Sequence, residues 1–210
     1  MDDITAQLEL APSKPSHLEL FELASEQGGY FTARQAARCG FSRALLSHHA
    51  KQGRFIRARP GLYRLREYPS STREDVLSAW LAAGKDLAVV SHESALDLQS
   101  LSDIIPSAVH LTVPRARRSV RAGPGVKVHT TTKSLGRGNV VTREGIRMTS
   151  PMRSILDVAQ AGAPPEQVEM AVAQAIDRGL ATGQSLRRGA DQRGRRVSNL
   201  IRAALAKVRR

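Results

Sequence analysis

The sequence predicts an α+β protein with two domains, the first helical with a β-hairpin and the second mixed α/β with a helical C-terminus. Three observations support this prediction. Residues 31–65 have the pattern of two short helices followed by a hairpin, residues 67–71 have the composition of a linker, and the remaining chain alternates short apolar strands with amphipathic helices. A chain of 210 residues is long enough for two domains of about 100 residues each.

Two helices joined by a tight turn form the centre of the first domain. Thr32 and Gln35 have the spacing of a capping box at the start of the first helix, which Cys39-Gly40 ends. Ser42 is suited to cap the second helix, and Gly53 is suited to end it. The sequence therefore predicts a helix, a turn of a few residues and a second helix.

The second helix divides into two faces when successive residues are placed about 100° apart. Its apolar arc contains Leu45, Leu46, His49 and Ala50, and its polar arc contains Arg43, Ser47, His48 and Lys51. A basic hairpin follows at residues 55–65, with a Pro60-Gly61 corner suited to a type II turn. This is the arrangement of a winged helix-turn-helix, which we predict at residues 16–66 after a loose lead at residues 1–15.

The charge of this domain indicates a polyanionic partner. The whole chain has a formal net charge of +13, and the segment between Glu26 and Glu67 contains nine Lys or Arg and no Asp or Glu. We expect the helix residues, such as Arg43, to read bases in the major groove and the hairpin arginines to hold phosphates. The residues predicted to contact DNA are Arg34, Gln35, Arg43, Ser47, His48, Lys51, Arg57, Arg59 and Arg64.

The sequence argues against several other classes of site. The single cysteine, Cys39, excludes an internal disulfide and a cysteine-rich zinc site. His92 lies near a helix start beside Glu93, but no second histidine lies four residues on, so we predict capping and packing rather than a metal ligand or a general base. No nucleotide-binding loop or catalytic serine motif occurs, and we expect no catalytic residue, cofactor or metal. Every apolar run is shorter than the about 20 residues that a membrane-spanning helix requires. We therefore expect a cytoplasmic protein that binds no membrane.

Several segments beyond the hairpin carry a resemblance to a known family. They are SHESALDLQSL, SAVHLTVPRARRS, GVKVHTT and GIRMTSPMRSILDVA, in this order and spacing. Together with the helix-turn-helix they make the chain resemble the AbiEi-type antitoxins of actinobacteria. The resemblance implies a type IV toxin–antitoxin pair, in which residues 16–66 repress the operon by binding an inverted repeat in its promoter. Residues 72–210 would then neutralise a nucleotidyltransferase toxin encoded beside the antitoxin.

Two basic groups in the second domain are candidates for contact with such a toxin. One lies in the loop that follows the strand at residues 108–113, and the other lies in the helical C-terminus. A solvated turn is an equally good explanation of the loop charges. The predicted toxin-binding residues are Arg115, Arg117, Arg118, Arg121, Arg187, Arg188, Arg195 and Arg196.

Two other functions stay open at this point. In the first, the chain is an enzyme that silences the toxin by an atypical transfer of phosphate to a serine of the toxin. It could also be a plain transcriptional repressor that responds to a small ligand, which would require a pocket. Labelled ATP would test the first alternative, and the identity of the neighbouring gene would test the second.

Overall fold

The computed structural model describes residues 14–120, 123–136 and 138–208. The chain divides into two compact units, with the boundary between Thr72 and Arg73. The predicted fold class is confirmed: a winged helix-turn-helix precedes a mixed α/β unit whose C-terminus is helical. Among the described helices, none is both long and apolar enough to cross a membrane.

From residue 14 onward, the N-terminal unit contains three helices and a three-stranded antiparallel sheet. The strand order is β1-β3-β2, so the hairpin of β2 and β3 places its second strand in the middle. The first strand was not predicted from the sequence because it has only three residues and its pairing partner lies thirty residues later. The elements are α1 (His17–Ser25), β1 (Tyr30–Thr32), α2 (Ala33–Arg38), α3 (Arg43–Lys51), β2 (Phe55–Arg59) and β3 (Leu62–Leu65).

The helix caps predicted at Thr32 and Ser42 are confirmed in the structure. The Thr32 side chain accepts a hydrogen bond from the Gln35 backbone N–H, and the Gln35 side chain accepts one from the Thr32 backbone N–H. The Ser42 hydroxyl accepts from the Leu45 N–H at the start of α3. Gly53, which follows this helix, has a φ of 75°, a conformation that glycine adopts without strain.

A compact aromatic core holds the N-terminal unit together. Phe31 contacts Phe55 edge-to-face with ring centroids 5.1 Å apart, and Leu20 and Leu46 are buried in the same cluster. Phe21 of α1 lies outside this core and is 54% exposed. Its neighbour Leu20 occupies the inward position of α1 instead.

Residues predicted as a linker pack against this unit. The Tyr68 hydroxyl donates to the carbonyl oxygen of Ser25, 3.1 Å away, and a Cβ atom added to Gly29 would lie 2.5 Å from the Tyr68 ring. Gly29 also has a φ of 85°, so this position combines a close approach with a backbone conformation that favours glycine. The chain at Tyr68 is therefore part of the folded unit.

The C-terminal unit combines a mixed five-stranded sheet with six helices among its described residues. The strand order is β6-β5-β4-β8-β7, with β5 and β6 parallel, β4 and β8 parallel, and the other two pairs antiparallel. The strands are β4 (Val89–Val90), β5 (Val109–Pro114), β6 (Val126–Thr131), β7 (Val140–Arg143) and β8 (Ile146–Thr149). The helices are α4 (Glu74–Ala83), α5 (His92–Gln99), α6 (Pro151–Ala161), α7 (Pro165–Asp177), α8 (Gly183–Asp191) and α9 (Arg195–Val208).

The core of this unit lies between α5 and the four C-terminal helices. Leu96 of α5, Ile155 of α6, Val172 of α7, Leu186 of α8 and Ile201 of α9 belong to one buried cluster. Strand β5 pairs along its length with β6, and β7 and β8 form a hairpin. Because α5 begins two residues after β4, which lies beside β5, its first turn lies close to the paired strands β5 and β6.

Candidate nucleic-acid interface

Helix α3 presents a continuous polar face to solvent. Leu46 and His49 are 1% and 5% exposed and anchor the opposite side of the helix in the core. The polar arc predicted from the sequence is exposed throughout, and it consists of Arg43, Ser47, His48 and Lys51. Since Arg43, Ser47 and Lys51 are spaced four residues apart, they form one row along the helix.

His49 is a packed histidine, as predicted. Its ring lies 5.0 Å from the Phe55 ring and 5.4 Å from the His17 ring, measured between centroids. Burial lowers the pKa of His49, and the nearby charges of His17, Arg54 and His48 lower it further. The imidazole therefore holds α3 against the core in its neutral form.

The wing extends from the same unit. Strands β2 and β3 pair with an irregularity between Arg57 and Arg59, and the turn between them has Gly61 at a φ of 73°. The Gly61 carbonyl accepts a hydrogen bond from the Ala33 N–H, 2.9 Å away, which ties the wing tip to the start of α2. Arg57 is exposed and Arg59 is half-buried.

The structure removes two residues from the predicted DNA-contacting set. Arg64 is only 6% exposed, and its Nη2 donates to the carbonyl oxygens of Tyr68 and Pro69 at 2.7 and 3.0 Å. Its guanidinium also lies over the Tyr30 ring, so it has no surface to offer a phosphate. Gln35 is engaged in the cap of α2 and donates to Gln27 Oε1 at 3.1 Å.

The remaining prediction in α2, Arg34, is exposed. It lies on the helix that precedes the turn, in the part of the motif that crosses the DNA backbone in helix-turn-helix proteins. Its position therefore suits a phosphate contact better than base reading.

The predicted toxin-binding residues lie on three elements of the C-terminal unit. Arg115, Arg117 and Arg118 are exposed at a single 3₁₀ turn, Arg115–Arg117, directly after β5. Arg121 lies outside the described residues. Arg188, Arg195 and Arg196 are exposed on α8 and α9, and Arg187 is half-buried.

Three histidines from distant parts of the sequence meet in the C-terminal unit. His92 begins α5, His110 lies on β5 and His129 lies on β6, and one ring nitrogen from each lies within 4.8 Å of the others. His129 Nε2 is 3.3 Å from His110 Nδ1, and the His92 and His129 rings stack with centroids 3.6 Å apart. The sequence did not predict this cluster because it depends on strand pairing, and the prediction of packing for His92 considered only its own helix.

The electrostatics of this cluster keep its imidazoles neutral. Burial lowers the pKa of His92 to about 2, and the charges of His129, His110, Arg193 and Lys127 act in the same direction. Burial also lowers the pKa of His129 to about 4. The pKa of His110 is lowered for the same reason, burial first and Lys127 second.

A cavity of about 430 Å³ adjoins two of these histidines. A buried ion-pair network forms another part of its wall, in which Asp157 Oδ1 lies 2.7 Å from Arg193 Nη1 and Asp157 Oδ2 lies 3.5 Å from Arg153 Nε. Arg153 also donates to Thr131 Oγ1 at 3.2 Å. The lining residues include His92, Thr112, His129, Thr131, Lys133, Arg153, Asp157, Gln160 and Arg193.

The sequence and fold were compared with those of known proteins. Residues 19–66 match the family model described as "Transcriptional regulator, AbiEi antitoxin". The resemblance to AbiEi antitoxins is thus confirmed, and the match covers the winged helix-turn-helix of the N-terminal unit. The AbiEi match supports a role as a transcriptional regulator or antitoxin.

A similar fold is found in the crystal structure of the RV2827C protein from Mycobacterium tuberculosis. The similarity covers 90% of this chain and 75% of that chain, with a TM-score of 0.63. At 14% sequence identity this similarity concerns the fold alone. No curated protein matches the chain in sequence.

Proposed function

We propose that the protein is an autoregulating antitoxin, which binds promoter DNA of its own operon through the N-terminal unit and neutralises a nucleotidyltransferase toxin through the C-terminal unit. The observation that carries the proposal is the exposed polar row of α3 within a segment that matches AbiEi antitoxins. The acid-free, basic composition of residues 27–66 supports the same conclusion.

Helix α3 is the recognition helix in this proposal. In a helix-turn-helix the second helix lies in the major groove, with its N-terminal residues against the base edges. Arg43 is the first residue of α3, and a bidentate arginine–guanine contact discriminates by about 1–3 kcal/mol. Lys51, at the last position of α3, is placed for a phosphate at the groove edge.

The wing supplies contacts that position the protein without reading sequence. Arg57 and Arg59 of β2 are the wing arginines that we propose contact phosphates, whereas Arg64 is buried and donates to backbone carbonyls. We expect two copies of the chain to occupy the two halves of an inverted repeat, because a twofold operator matches a pair of identical recognition helices.

Binding to the DNA upstream of the gene tests this part of the proposal. The double variant Arg43→Ala/Lys51→Ala should lose specific retardation of that DNA while its circular dichroism is unchanged, because both side chains are exposed. The matched control is Lys85→Ala/Arg143→Ala, which removes the same charge from the C-terminal unit and should bind like the wild type. Unaltered binding by the Arg43/Lys51 variant would exclude α3 as the recognition helix.

Toxin neutralisation is proposed to use the exposed arginines of the C-terminal unit. A nucleotidyltransferase must bind a triphosphate with metal ions, so its cleft is expected to contain carboxylates. Arg115, Arg117 and Arg118 give this unit a compact basic surface that such a cleft would attract, and charge complementarity mainly accelerates the encounter. Arg121 and the basic residues of α8 and α9 complete the proposed contact set.

Phosphotransfer to the toxin stays an alternative to direct contact. Incubation of the purified pair with labelled ATP separates the two mechanisms. Label on a toxin serine that depends on the antitoxin would favour the enzymatic alternative, and co-purification of an unlabelled complex would favour contact.

A further inference from the structure

We propose that His92, His110 and His129 bind a divalent transition-metal ion, with Zn²⁺ the best chemical fit. This site lies in the C-terminal unit and is separate from the DNA-contacting residues of α3 and the wing. It adds a metal to a chain for which the sequence predicted none.

The fold brings the three ligands together through strand pairing. In the parallel pair of β5 and β6, His110 lies opposite Lys127, and His129 lies opposite Thr112. His92 begins the helix that follows β4, the neighbour of β5 in the sheet. The three imidazoles are therefore held by two paired strands and the start of a helix, and ligands on regular elements favour a preorganised metal site.

The distances fit a small metal ion. Zn–N bonds of about 2.0–2.1 Å at a tetrahedral angle place two ligand nitrogens about 3.3 Å apart. His129 Nε2 and His110 Nδ1 lie 3.3 Å apart, and the nitrogen of His92 lies within 4.8 Å of both. A shift of about 1 Å in the His92 ring would complete a three-nitrogen site.

Two of the ligands have outer partners of the kind that orient metal-bound histidines. His92 Nδ1 is 2.9 Å from the Ser91 hydroxyl oxygen, which also accepts a hydrogen bond from Thr112 Oγ1 at 2.8 Å. His110 Nε2 is 3.9 Å from Glu93 Oε2. A metal-bound histidine usually offers its second nitrogen to a carboxylate, a carbonyl or water, which fixes both the tautomer and the ring orientation.

The cluster gathers three polar rings in one place. Burying polar rings is costly unless their nitrogens find partners, and one proton can satisfy only one contact between His110 and His129. Val109, Leu111 and Val113 fill the opposite face of β5 with apolar side chains, whereas the face that carries His110 also carries the buried hydroxyl of Thr112. A bound metal would use a lone pair of each of the three rings.

The ligand type and local charges select among metals. Three neutral imidazoles suit Zn²⁺, Co²⁺, Ni²⁺ and Cu²⁺, whereas Mg²⁺ and Ca²⁺ require oxygen ligands. The charges of Lys127 and Arg193 act on the cluster, and both repel any cation. Glu93 beside His110 and Asp157 on the cavity wall offset part of this repulsion. Ions held mainly by charge should therefore bind poorly here.

The adjoining cavity gives the site an open position. Its wall includes His92 and His129, and its volume of about 430 Å³ is large enough for water molecules or a small ligand beside the metal. A structural zinc site has four protein ligands and is closed. A site with three protein ligands keeps a fourth position at which water or a small molecule can bind the metal.

Metal titration of the full chain tests the proposal. Chelator-treated protein should bind one Co²⁺ per chain with visible absorption bands of a low-coordinate ion, and Zn²⁺ should displace it while Mg²⁺ should not. His110→Gln and His129→Gln should abolish these bands, and Glu93→Gln should weaken Co²⁺ binding by about tenfold. His17→Gln, which changes an exposed histidine of the N-terminal unit, is the matched control and should leave the bands intact.

Folding of the variants is checked by circular dichroism and by retention of DNA binding, which does not involve these histidines. A variant that loses metal but keeps both properties supports the site. The proposal is overturned if the folded wild type binds no Co²⁺ or Zn²⁺ at micromolar concentration, or if stoichiometric binding survives in both His110→Gln and His129→Gln. Failure of promoter binding in the wild type would instead count against the proposed function.

Discussion

The Arg64 guanidinium donates to the carbonyl oxygen of Tyr68, with 2.7 Å between Nη2 and the oxygen. This contact ties the last strand of the wing to the chain that leaves it, and a second bond to Pro69 strengthens the link. Arg64 is therefore a structural arginine within a basic segment, whereas Arg57 and Arg59 are the wing arginines that we propose hold phosphates.

Arg64→Ala should destabilise the N-terminal unit without changing how DNA affinity depends on salt. The variant leaves two carbonyls without their charged donor, and we expect the free energy of unfolding to fall by about 2 kcal/mol. Urea unfolding followed by circular dichroism measures this loss, with Arg57→Ala as the exposed control. An Arg64→Ala variant as stable as the wild type would contradict the structural role.

Arg59→Ala should weaken binding to all DNA sequences alike. A phosphate contact contributes a slope of about 0.9 in the plot of log affinity against log salt, so the magnitude of the slope should fall by about one. Fluorescence anisotropy at several salt concentrations gives this slope for operator and unrelated DNA. An affinity of the wild type that does not depend on salt would show that the basic segment is not a DNA surface.

His49 should make the N-terminal unit sensitive to acid. Its pKa is lowered in the folded state, mainly by burial, so the unfolded chain takes up a proton at a higher pH than the folded chain does. The neutral His49 ring makes its full contribution to the free energy of unfolding above the unfolded pKa of about 6.5. This contribution is lost as the pH falls below that value. Urea unfolding at pH 7.5 and pH 5.5 should show this loss in the wild type.

His49→Leu should reduce that difference between the two pH values, and the exposed neighbour His48→Gln is the matched control that should retain it. An equal loss of stability in the wild type and His49→Leu would mean that other groups cause the acid sensitivity.

Local patterns predicted most of the N-terminal unit. The caps at Thr32 and Ser42 and the two faces of α3 depend on neighbouring residues, and the structure has them as predicted. Arg64 was assigned to the DNA surface because alternation along β3 does not reveal which face is buried. That face is set by the unpredicted strand β1, in which Tyr30 pairs with Arg64.

In the C-terminal unit, more of the structure depends on contacts between distant segments, which local sequence patterns do not reveal. The strand at residues 108–113 was predicted, but its parallel register with β6 was not, and that register sets where His129 lies relative to His110. A cluster built across strands leaves no short motif in the sequence. The ion pair of Asp157 with Arg193 was missed for the same reason, since α6 and the segment between α8 and α9 approach each other only in the folded unit.

Separate expression of the two units in cells that make the toxin tests the central claim most directly. The two fragments are residues 1–72 and residues 73–210, divided at the boundary between the units. Tyr68 and Pro69 stay in the N-terminal fragment, because both contact that unit. Growth should be restored by the full chain and by residues 73–210, and residues 1–72 alone should not restore it. Rescue by residues 1–72 alone, or by the full chain only, would contradict an antitoxin whose two units act separately.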